Sequence, residues 1–352
     1  TNTSRSNSAT AGKMARAPGV ARSVLETVGN TPLVALERLC RGRVGVVLAK
    51  LECDNPGLSK KDRAALEIIQ QARASGQLRD GQPVVELTSG NMGSGLAIAC
   101  AVLGHPFIAV MSRGNSVERA RMLLAQGATL ELVPQAAGSV PNQVSGADLA
   151  LVEDRAQELT AQIGAFRVDQ FHRTGNVDAH YRGTANEIIA QVKGSDFENF
   201  DGFVDFAGSG GTFAGCAKRF KEHNPAIKCF MVEPKQAQVL RHSLGKESPA
   251  HAGSGQHKIQ GGGYSMAQLP FAVEAHRAGH VDGFLSVTDE QAIATTRALA
   301  KEEGIFGGFS AGANIAAALQ LIDRGEATTV VAIVCDSGVK YLSTDLFEPL
   351  AQ

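Results

Sequence analysis

Short apolar runs rich in β-branched residues alternate with longer amphipathic segments along most of the chain. This alternation predicts βαβ units, in which helices connect parallel strands and pack on the sheet. Several runs are almost continuously apolar, as expected for parallel strands that are buried on both faces. The pattern therefore predicts an α/β fold with open, mostly parallel sheets. The predicted strands cover residues 44–52, 83–89, 106–112, 128–133, 166–171, 202–208, 228–234 and 328–336.

The alternation of predicted strands and helices is interrupted near residue 168. A loop-rich stretch, DQFHRTGNVDAHYRGTANE, follows this point before the alternation starts again. The chain has 352 residues, which is enough for one large domain or two medium ones. A second loop-rich segment, residues 243–270, is long and rich in glycine, which makes it a candidate lid.

The first 22 residues differ in composition from the rest of the chain. They are rich in Ser, Thr, Ala and Arg, and the first acidic residue is Glu26. This composition predicts a disordered tail, although an organellar transit remnant would have the same composition.

Composition argues against several classes of protein. The formal net charge is −1, which does not suggest a nucleic-acid or acidic-membrane partner. No apolar run approaches the ~18 residues of a membrane span. The six cysteines contain no C-x-x-C pair and the histidines have no metal-binding spacing, so we expect no metal site. Cysteines scattered through apolar runs are typical of free thiols in a reducing compartment, and we predict a cytoplasmic location.

Two adjacent lysines stand where a helix is predicted to begin. In the sequence NPGLSKKDRAALEII, Ser59 and Asp62 form a capping pattern, which predicts a helix that starts at Lys60 and stops at Gly76. The helix dipole disfavours cations in the first turn and lowers the pKa of a lysine there. Such a lysine suits Schiff-base formation with an aldehyde cofactor. The alternative is that both lysines are solvated.

Three turns rich in small residues precede predicted helices. Residues 86–104 pass from a strand through Thr-Ser-Gly-Asn into an apolar helix, and residues 204–215 pass through Gly-Ser-Gly-Gly-Thr. Backbone N–H groups and hydroxyls at such helix N-termini bind phosphates or carboxylates. The second turn has neither a dinucleotide fingerprint nor a P-loop lysine, so a phosphate monoester fits it better. In residues 302–319, a strand is again predicted to meet a helix at Ser310, whose hydroxyl could cap the helix or contact a bound ring.

Taken in order, these motifs resemble the fold-type II pyridoxal-phosphate enzymes, and among them the cysteine synthase and cystathionine β-synthase group. The resemblance extends from residue 28 to residue 347 through VGNTPLVAL, AKLECDNPGLSKKDR, TSGNMGSGLA, QFHRTGNVDAHY, GSGGTFAG, HKIQGGG, EEGIFGGFSAGA and CDSGVKYLSTDLF. It implies two open, mostly parallel twisted sheets flanked by helices, as in the tryptophan synthase β subunit. It also implies that pyridoxal 5′-phosphate binds in the cleft between two domains.

The same resemblance implies which residues hold the cofactor. Lys61 would form a Schiff base with it, whereas Lys60 occupies a position that is usually apolar and is interpreted as structural. Asn91 would bind the 3′-hydroxyl of the cofactor, and Ser310 would face its pyridine nitrogen. The phosphate would lie in a glycine turn formed by Gly208, Ser209, Gly210, Gly211 and Thr212.

The implied reaction is β-replacement on an activated L-serine, O-acetyl-L-serine or O-phospho-L-serine, through an aminoacrylate intermediate. A serine such as Ser310 cannot keep the ring nitrogen protonated as a carboxylate would, which favours prompt loss of a β-substituent. Lys61 would move the proton of the α-carbon as general base. The amino-acid substrate would contact Thr88, Ser89, Gly90, Met92 and Gln170.

One departure from the family pattern affects the choice of nucleophile. The substrate loop usually reads T-S-G-N-T-G, and Met92 replaces its second Thr. An apolar residue there also resembles the branch that adds amines to make 2,3-diaminopropionate derivatives. Sulfide, a thiol or an amine therefore stay open as nucleophiles, and β-elimination of the serine/threonine dehydratase type is a further alternative.

The resemblance also implies a domain organisation. Residues 55–168 would form a smaller, mobile domain, and residues 23–54 and 169–348 would form a larger one. Closure of the smaller domain on the substrate would exclude water from the reaction. The expected partners are a small amino acid and a small nucleophile, and analogy at the level of the fold predicts a homodimer.

Overall fold

A computed structural model describes the protein over residues 19–88, 90–140, 144–245, 256–263 and 269–347. The strands of this part of the chain form two sheets. They are β1 (Leu33–Ala35), β2 (Val46–Leu51), β3 (Val84–Leu87), β4 (Phe107–Ser112), β5 (Thr129–Val133), β6 (Phe166–Arg167), β7 (Gly202–Phe206), β8 (Lys228–Pro234), β9 (Gly283–Val287) and β10 (Thr329–Val334). One sheet has the strand order β1-β2-β10-β7-β8-β9, and the other has the order β5-β4-β3-β6.

Helices connect these strands and cover the sheets. Those in the described residues are α1 (Lys61–Ala74), α2 (Asn91–Leu103), α3 (Val117–Ala125), α4 (Gly146–Ile163), α5 (Gly175–Ala179), α6 (Ala185–Val192), α7 (Gly211–His223), α8 (Val239–Leu244), α9 (Pro270–Arg277), α10 (Asp289–Glu303) and α11 (Phe309–Asp323). A short π-helical segment, His180–Thr184, links α5 to α6.

Both sheets are parallel except at one edge. β1 runs antiparallel to β2, and every other pairing among the described strands is parallel. β2 pairs with β10 over its whole length, from Val46 beside Thr329 to Leu51 beside Val334. Distant parts of the chain thus complete one sheet, whereas the four-stranded sheet is built within residues 84–167. The predicted α/β fold class is confirmed.

All eight predicted strands are present; β8 has the predicted bounds and the other seven are shorter than predicted. The largest difference concerns residues 166–171, of which only Phe166–Arg167 are extended, because the left-handed backbone of Asp169 (φ 50°) ends the strand. β1 and β9 were not predicted by the apolar pattern. Both lie at edges of the six-stranded sheet and are partly exposed, so neither needs a continuous apolar run.

The structure corrects one predicted strand and one predicted helix start. The strand predicted before Ser310 is wrong, because helix α10 extends to Glu303. Its C-cap residue, Gly304, has a left-handed backbone (φ 72°), and a short connection then leads to α11. Helix α1 starts at Lys61 and not at Lys60, which is its N-cap residue. Ser59 nevertheless accepts a hydrogen bond from the Lys61 N–H at 3.3 Å, so part of the predicted capping is present.

The remaining predictions concern the N-terminal tail, the candidate lid, the cysteines and membrane-spanning segments. Residues 1–18 of the predicted tail and residues 246–255 and 264–268 of the candidate lid lie outside the described residues. All six cysteines are unpaired and five are buried, in agreement with free thiols. No helix in the described ranges is long and apolar enough to cross a bilayer.

A buried ionic cluster joins α1 to its neighbours. The Arg63 guanidinium donates to Glu52, which follows β2, at 2.7 Å and to Glu187 of α6 at 2.6 Å. Lys50 of β2 donates to the same Glu187 at 2.8 Å. Burial alone would raise the pKa of Glu187, but the hydrogen bonds and charge of Arg63, together with Lys50, hold it well below its usual value. The cluster therefore fixes the first turn of α1 against the six-stranded sheet and α6.

We predict that Arg63→Met destabilises the fold strongly. The substitution leaves two buried carboxylates with too little positive charge, so the free energy of unfolding at pH 7 should fall by about 3–5 kcal/mol. Chemical denaturation measures this difference. Arg43 and Asp323 form a partly exposed ion pair at 2.8 Å, so Arg43→Met should change the same quantity by about 1 kcal/mol or less. Equal losses in the two variants would contradict the role given to the buried cluster.

Candidate active site

Residues that the sequence predicts for cofactor and substrate meet in one pocket. Lys61 begins α1, and its Nζ donates to the Ser209 hydroxyl, 3.2 Å away in the glycine turn. The walls come from the end of β3, from helices α1, α2 and α4, and from loops that include those after β6 and β7. The lining residues are Lys61, Leu87, Asn91, Met92, Leu149, Gln170, Phe171, Ser209 and Gly261.

The two adjacent lysines have different environments, and neither is solvated as the alternative hypothesis proposed. Lys60 is buried and its Nζ pairs with Asp205 of β7 at 2.6 Å. Burial would lower the pKa of Lys60, but the Asp205 carboxylate raises it above the ordinary value. At Lys61, burial and then the neighbouring Lys60 cation lower the pKa to about 8. Lys61 is therefore the lysine whose neutral amine is available near physiological pH.

Close packing against neighbouring parts of the protein restricts the glycine turn between β7 and α7 to small residues. Gly210 has a left-handed backbone (φ 84°). A Cβ atom at Gly208 would lie 2.7 Å from the carbonyl oxygen of Gly261, and one at Gly211 would lie 2.4 Å from the Asn176 side chain. Only glycine fits at these two positions. The first N–H groups of α7 have no acceptor within the helix and point toward the space in front of its N-terminus, where an anion is favoured.

Two hydroxyls flank this turn, and each is held by a side chain that the sequence analysis did not assign to the site. Asn176 Nδ2 donates to the Ser209 hydroxyl at 2.8 Å. Thr212 Oγ1 lies 3.2 Å from His180 Nε2. Burial, followed by the charges of nearby cations, lowers the pKa of His180 well below its usual value, so its ring is neutral. Both missed residues lie in the QFHRTGNVDAHY motif, whose position beside the glycine turn is fixed only by folding.

Asn91 begins α2 and is fixed by two charged residues from the far end of the chain. Its Nδ2 donates to Asp336 at 2.7 Å, and its Oδ1 accepts from Lys340 Nζ at 2.7 Å. Lys340 also donates to the carbonyl oxygen of Gly57 at 2.7 Å. Burial lowers the pKa of Lys340 to about 8. Asp336 and Lys340 lie in the motif CDSGVKYLSTDLF, but the sequence analysis gave them no role, because their link to Asn91 spans more than two hundred residues.

The predicted substrate loop follows β3. Thr88 Oγ1 accepts hydrogen bonds from the N–H groups of Gly90 and Gly93 at 2.9 and 2.8 Å, and thereby caps α2. Gly90 has φ 119°, and its backbone packs directly on the Arg119 side chain. Met92 is buried in the pocket wall. Ser89 lies outside the described residues.

Gln170 closes the pocket from the side of the loop that follows β6. Its Nε2 donates to the carbonyl oxygen of Leu87 at 3.3 Å, and it lies beside the buried carboxyl of Glu86. Burial raises the pKa of Glu86 to about 7, despite the opposing charge of Arg167. Glu86 is a further residue that the sequence analysis missed.

Ser310 is the second residue of α11 and is buried close to Gly261, which lines the pocket. Its Oγ lies 3.9 Å from the position that a Cβ atom of Gly261 would take. It also contacts the thiol of Cys335, which follows β10. The polar group here is thus an alcohol and not a carboxylate. Helix α11 is apolar around its circumference and buried along most of its length, which fixes Ser310 in place.

A larger cavity of about 500 Å³ adjoins the lysine pocket and shares Gly261 with it. Its wall is mixed in polarity and carries side chains from α3 and from the C-terminal segment. The lining residues are Gly114, Asn115, Ser116, Val117, Arg119, Val144, His257, Lys258, Ile259, Gln260, Gly261, Gly262, Phe309, Ser343, Thr344 and Asp345. Among the described residues, no group of three His, Cys, Asp or Glu side chains could hold a metal ion.

Comparisons with known proteins agree with this geometry. Residues 24–336 match the family model described as "Pyridoxal-phosphate dependent enzyme". O-ureido-L-serine synthase of Streptomyces lavendulae is 37% identical over 327 residues, which cover 93% of this chain and 92% of that protein. A cysteine synthase of Staphylococcus aureus is 35% identical over 326 residues, which cover 92% and 96%. The solved O-acetylserine-dependent cystathionine β-synthase of Helicobacter pylori is 29% identical, with a TM-score of 0.81 over 94% of this chain and 100% of that one.

The chain therefore belongs to the family of pyridoxal-phosphate-dependent enzymes. Within that class it is a β-substituting enzyme of the cysteine synthase type, and pyridoxal phosphate is its cofactor.

The residues in the pocket fit this cofactor chemically. The Lys61 amine has a lowered pKa, which suits Schiff-base formation with the aldehyde of the cofactor. The N-terminus of α7, with the hydroxyls of Ser209 and Thr212 beside it, matches a phosphate. The amide of Asn91 supplies a neutral polar group in the pocket wall, and the alcohol of Ser310 supplies another close to Gly261.

We predict that Lys61 titrates near pH 8 in the protein freed of its cofactor. Burial and the Lys60 cation favour the neutral amine, so acetylation of Lys61 by a small anhydride should rise with pH and be half-maximal at about 8. Peptide mass spectrometry after brief labelling measures the pH profile. Lys60 is the internal comparison, because its pairing with Asp205 keeps it charged and protected. Faster labelling of Lys60 than of Lys61 would contradict the assignment.

Proposed function

We propose that this enzyme replaces the β-substituent of an activated L-serine, O-acetyl-L-serine or O-phospho-L-serine, with a small nucleophile. The observation that carries the proposal is the contact of 3.2 Å between the Lys61 amine and Ser209, in a pocket that also contains Asn91 and Gln170. The relatives named for cysteine synthesis and for O-ureido-L-serine synthesis support a β-replacement rather than another use of the fold.

In this proposal the cofactor is held by Lys61, the glycine turn, Asn91 and Ser310. Lys61 binds it covalently, and the turn from Gly208 to Thr212 binds its phosphate through backbone N–H groups and two hydroxyls. His180 and Asn176 orient those hydroxyls. Asn91 binds the 3′-hydroxyl of the cofactor, and Ser310 faces its pyridine nitrogen.

Bound pyridoxal phosphate withdraws electrons from the α-carbon of an attached amino acid. The Lys61 amine, released when the amino acid takes its place, accepts the proton of the α-carbon and later returns it. The pKa of Lys61, about 8, is close to neutral pH. A group with such a pKa can both accept and return a proton under those conditions. The Ser310 alcohol donates or accepts a hydrogen bond at the ring nitrogen without adding a charge there, which favours departure of the β-substituent.

The substrate's α-carboxylate is proposed to bind at the N-terminus of α2, where Thr88, Ser89 and Gly90 form the loop and Gln170 faces it. Helix N-termini favour carboxylates. We also propose that residues 55–168, which include the four-stranded sheet, move as a smaller domain against residues 23–54 and 169–348. Closure over the carboxylate would exclude water while the β-carbon is reactive.

The nucleophile is proposed to enter from the cavity of about 500 Å³ that adjoins Gly261. A cavity of this size accommodates a molecule larger than sulfide, and its lining carries both Lys258 and Asp345. Met92, buried beside Lys61, favours an amine as the second candidate nucleophile, as in 2,3-diaminopropionate-type synthases. A screen that crosses the two activated serines with sulfide, thiols and amines identifies the pair.

The remaining proposals concern the setting of the enzyme. Its substrate is a small amino acid. We propose a homodimer and a cytoplasmic location, as the family resemblance and the free cysteines suggest. Light scattering on the purified protein measures the oligomeric state.

We predict that Lys61→Ala abolishes turnover and leaves the fold intact. Without the amine, neither covalent attachment of the cofactor nor proton transfer at the α-carbon is possible, so the rate should fall by at least about a thousandfold. Steady-state assays with O-acetyl-L-serine measure the rate, and circular dichroism checks the fold. Lys301 lies exposed on α10, so Lys301→Ala should retain the rate. A Lys61→Ala enzyme that keeps substantial activity would end the proposal.

We predict that Met92→Thr changes the preference of the enzyme among nucleophiles. A threonine places a hydroxyl in the pocket wall beside the substrate loop, where the wild-type chain has a buried thioether. The ratio of kcat/KM for sulfide to kcat/KM for the best amine should rise by about fivefold, since one hydrogen bond contributes about 1 kcal/mol. An unchanged ratio, with the fold preserved, would remove the reason for favouring an amine.

A further inference from the structure

The ion pair between Lys60 and Asp205 is buried directly beside the cofactor lysine. Their side chains are 10% and 2% exposed, and Lys60 Nζ lies 2.6 Å from Asp205 Oδ1. A charge pair at such a depth does not add stability by itself, because an apolar pair of similar volume is often as stable. The pair therefore needs an explanation other than the stability of the fold.

Lys60 is attached to two neighbouring strands of the six-stranded sheet. Its backbone N–H donates to the carbonyl oxygen of Cys335, after β10, at 2.9 Å, and its side chain reaches Asp205 in β7. Asp205 is itself fixed by Asn314 of α11, whose Nδ2 lies 3.4 Å away, and by the Cys335 thiol at 3.8 Å. The N-cap of α1 is thus connected to the strand that runs into the glycine turn three residues later.

From this geometry we propose that the Lys60–Asp205 ion pair is a positioning element that holds the Lys61 amine against the glycine turn and keeps a positive charge beside it. The inference rests on the proposed role of Lys61 as the cofactor lysine. Lys61 follows Lys60 directly and starts α1, so a fixed Lys60 leaves Lys61 only its own side-chain torsions to reach Ser209. Lys60 acts through Lys61 and is not itself a catalytic residue.

The charge of Lys60 has a definite electrostatic consequence for Lys61. Among the charged or titratable groups that face Lys61, Lys60 favours its neutral form. Asp205 of β7, Cys335 after β10 and Glu86 of β3 favour its charged form. Burial adds to the effect of Lys60, and the two together outweigh the acids. A neutral residue at position 60 should therefore raise the pKa of Lys61.

The experiment uses the full chain freed of cofactor, with circular dichroism compared with that of the loaded protein. The variants are Lys60→Met, the charge-free pair Lys60→Met/Asp205→Asn, and Lys60→Arg, which keeps the cation. Two readouts are recorded against pH: acetylation of Lys61, and capture of added pyridoxal phosphate. In capture the Lys61 amine adds to the aldehyde carbon and water leaves, and borohydride reduction with peptide mapping locates the product.

We expect the pH profile of Lys61 acetylation in Lys60→Met to move up by about one unit. Capture of pyridoxal phosphate at pH 7 should then slow by about tenfold. In the double variant the pH profile of Lys61 acetylation should move up by a smaller amount, because the opposing charge of Asp205 is lost as well. Lys60→Arg should keep the wild-type profile.

A control separates positioning from the general loss of an ion pair. Lys221, in the last turn of α7, and Asp282 form a partly buried ion pair at 2.7 Å, and neither lines the lysine pocket. Lys221→Met should leave the Lys61 profile unchanged. A shift in Lys221→Met equal to that in Lys60→Met would assign the effect to the loss of any ion pair and overturn the proposal.

The remaining outcomes are also decisive. A folded double variant with wild-type profile and capture rate would overturn the proposal. If both methionine variants fail to fold, Lys60→Arg alone tests it, since an upward shift despite the retained cation contradicts it. Failure of the wild-type chain to capture pyridoxal phosphate at Lys61 would instead refute the proposed function, whereas the acetylation profiles would still report on Lys60.

Discussion

The first turn of α1 is held by buried ion pairs, and the rest of the site depends on its position. Lys60 is paired with Asp205 in β7, and Arg63 is paired with Glu52 and Glu187. A helix start is an unfavourable place for cations, at a cost of a few tenths of a kcal/mol. Buried carboxylates at 2.6–2.7 Å outweigh that cost, and leave Lys61 between the two pairs with its amine directed at the glycine turn.

The topology of parallel strands explains why the other groups converge on that amine. In open parallel sheets, ligands bind beyond the carboxyl ends of the strands, where the following helices begin. β3 leads to α2 and Asn91 in one sheet, and β7 leads to the glycine turn and α7 in the other. The two helix N-termini thus supply separate anion sites on one pocket, one proposed for a carboxylate and one for a phosphate.

Sequence patterns were most informative where function requires a local conformation. The glycine turn before α7 and the loop before α2 were predicted from small residues at strand–helix junctions, and both occur there. The pattern failed at Ser310, where Gly-rich residues after α10 were mistaken for a strand end. It also missed His180, Asp336 and Lys340, because each of them acts through a hydrogen bond to a residue far away in the chain. Long-range pairs of this kind leave no local spacing.

The sequence by itself determined the α/β class, eight of the ten described strands and the family, since hydrophobic periodicity and turn residues are local properties. It also supplied two adjacent lysines without distinguishing their physical states. Only the tertiary structure decided that Lys60 is paired with Asp205 while Lys61 is left with a lowered pKa beside Ser209. The reason is that the charge state of a buried amine depends on burial and on the groups that folding brings close to it. Asp205 and Ser209 lie more than a hundred residues from the two lysines in the chain.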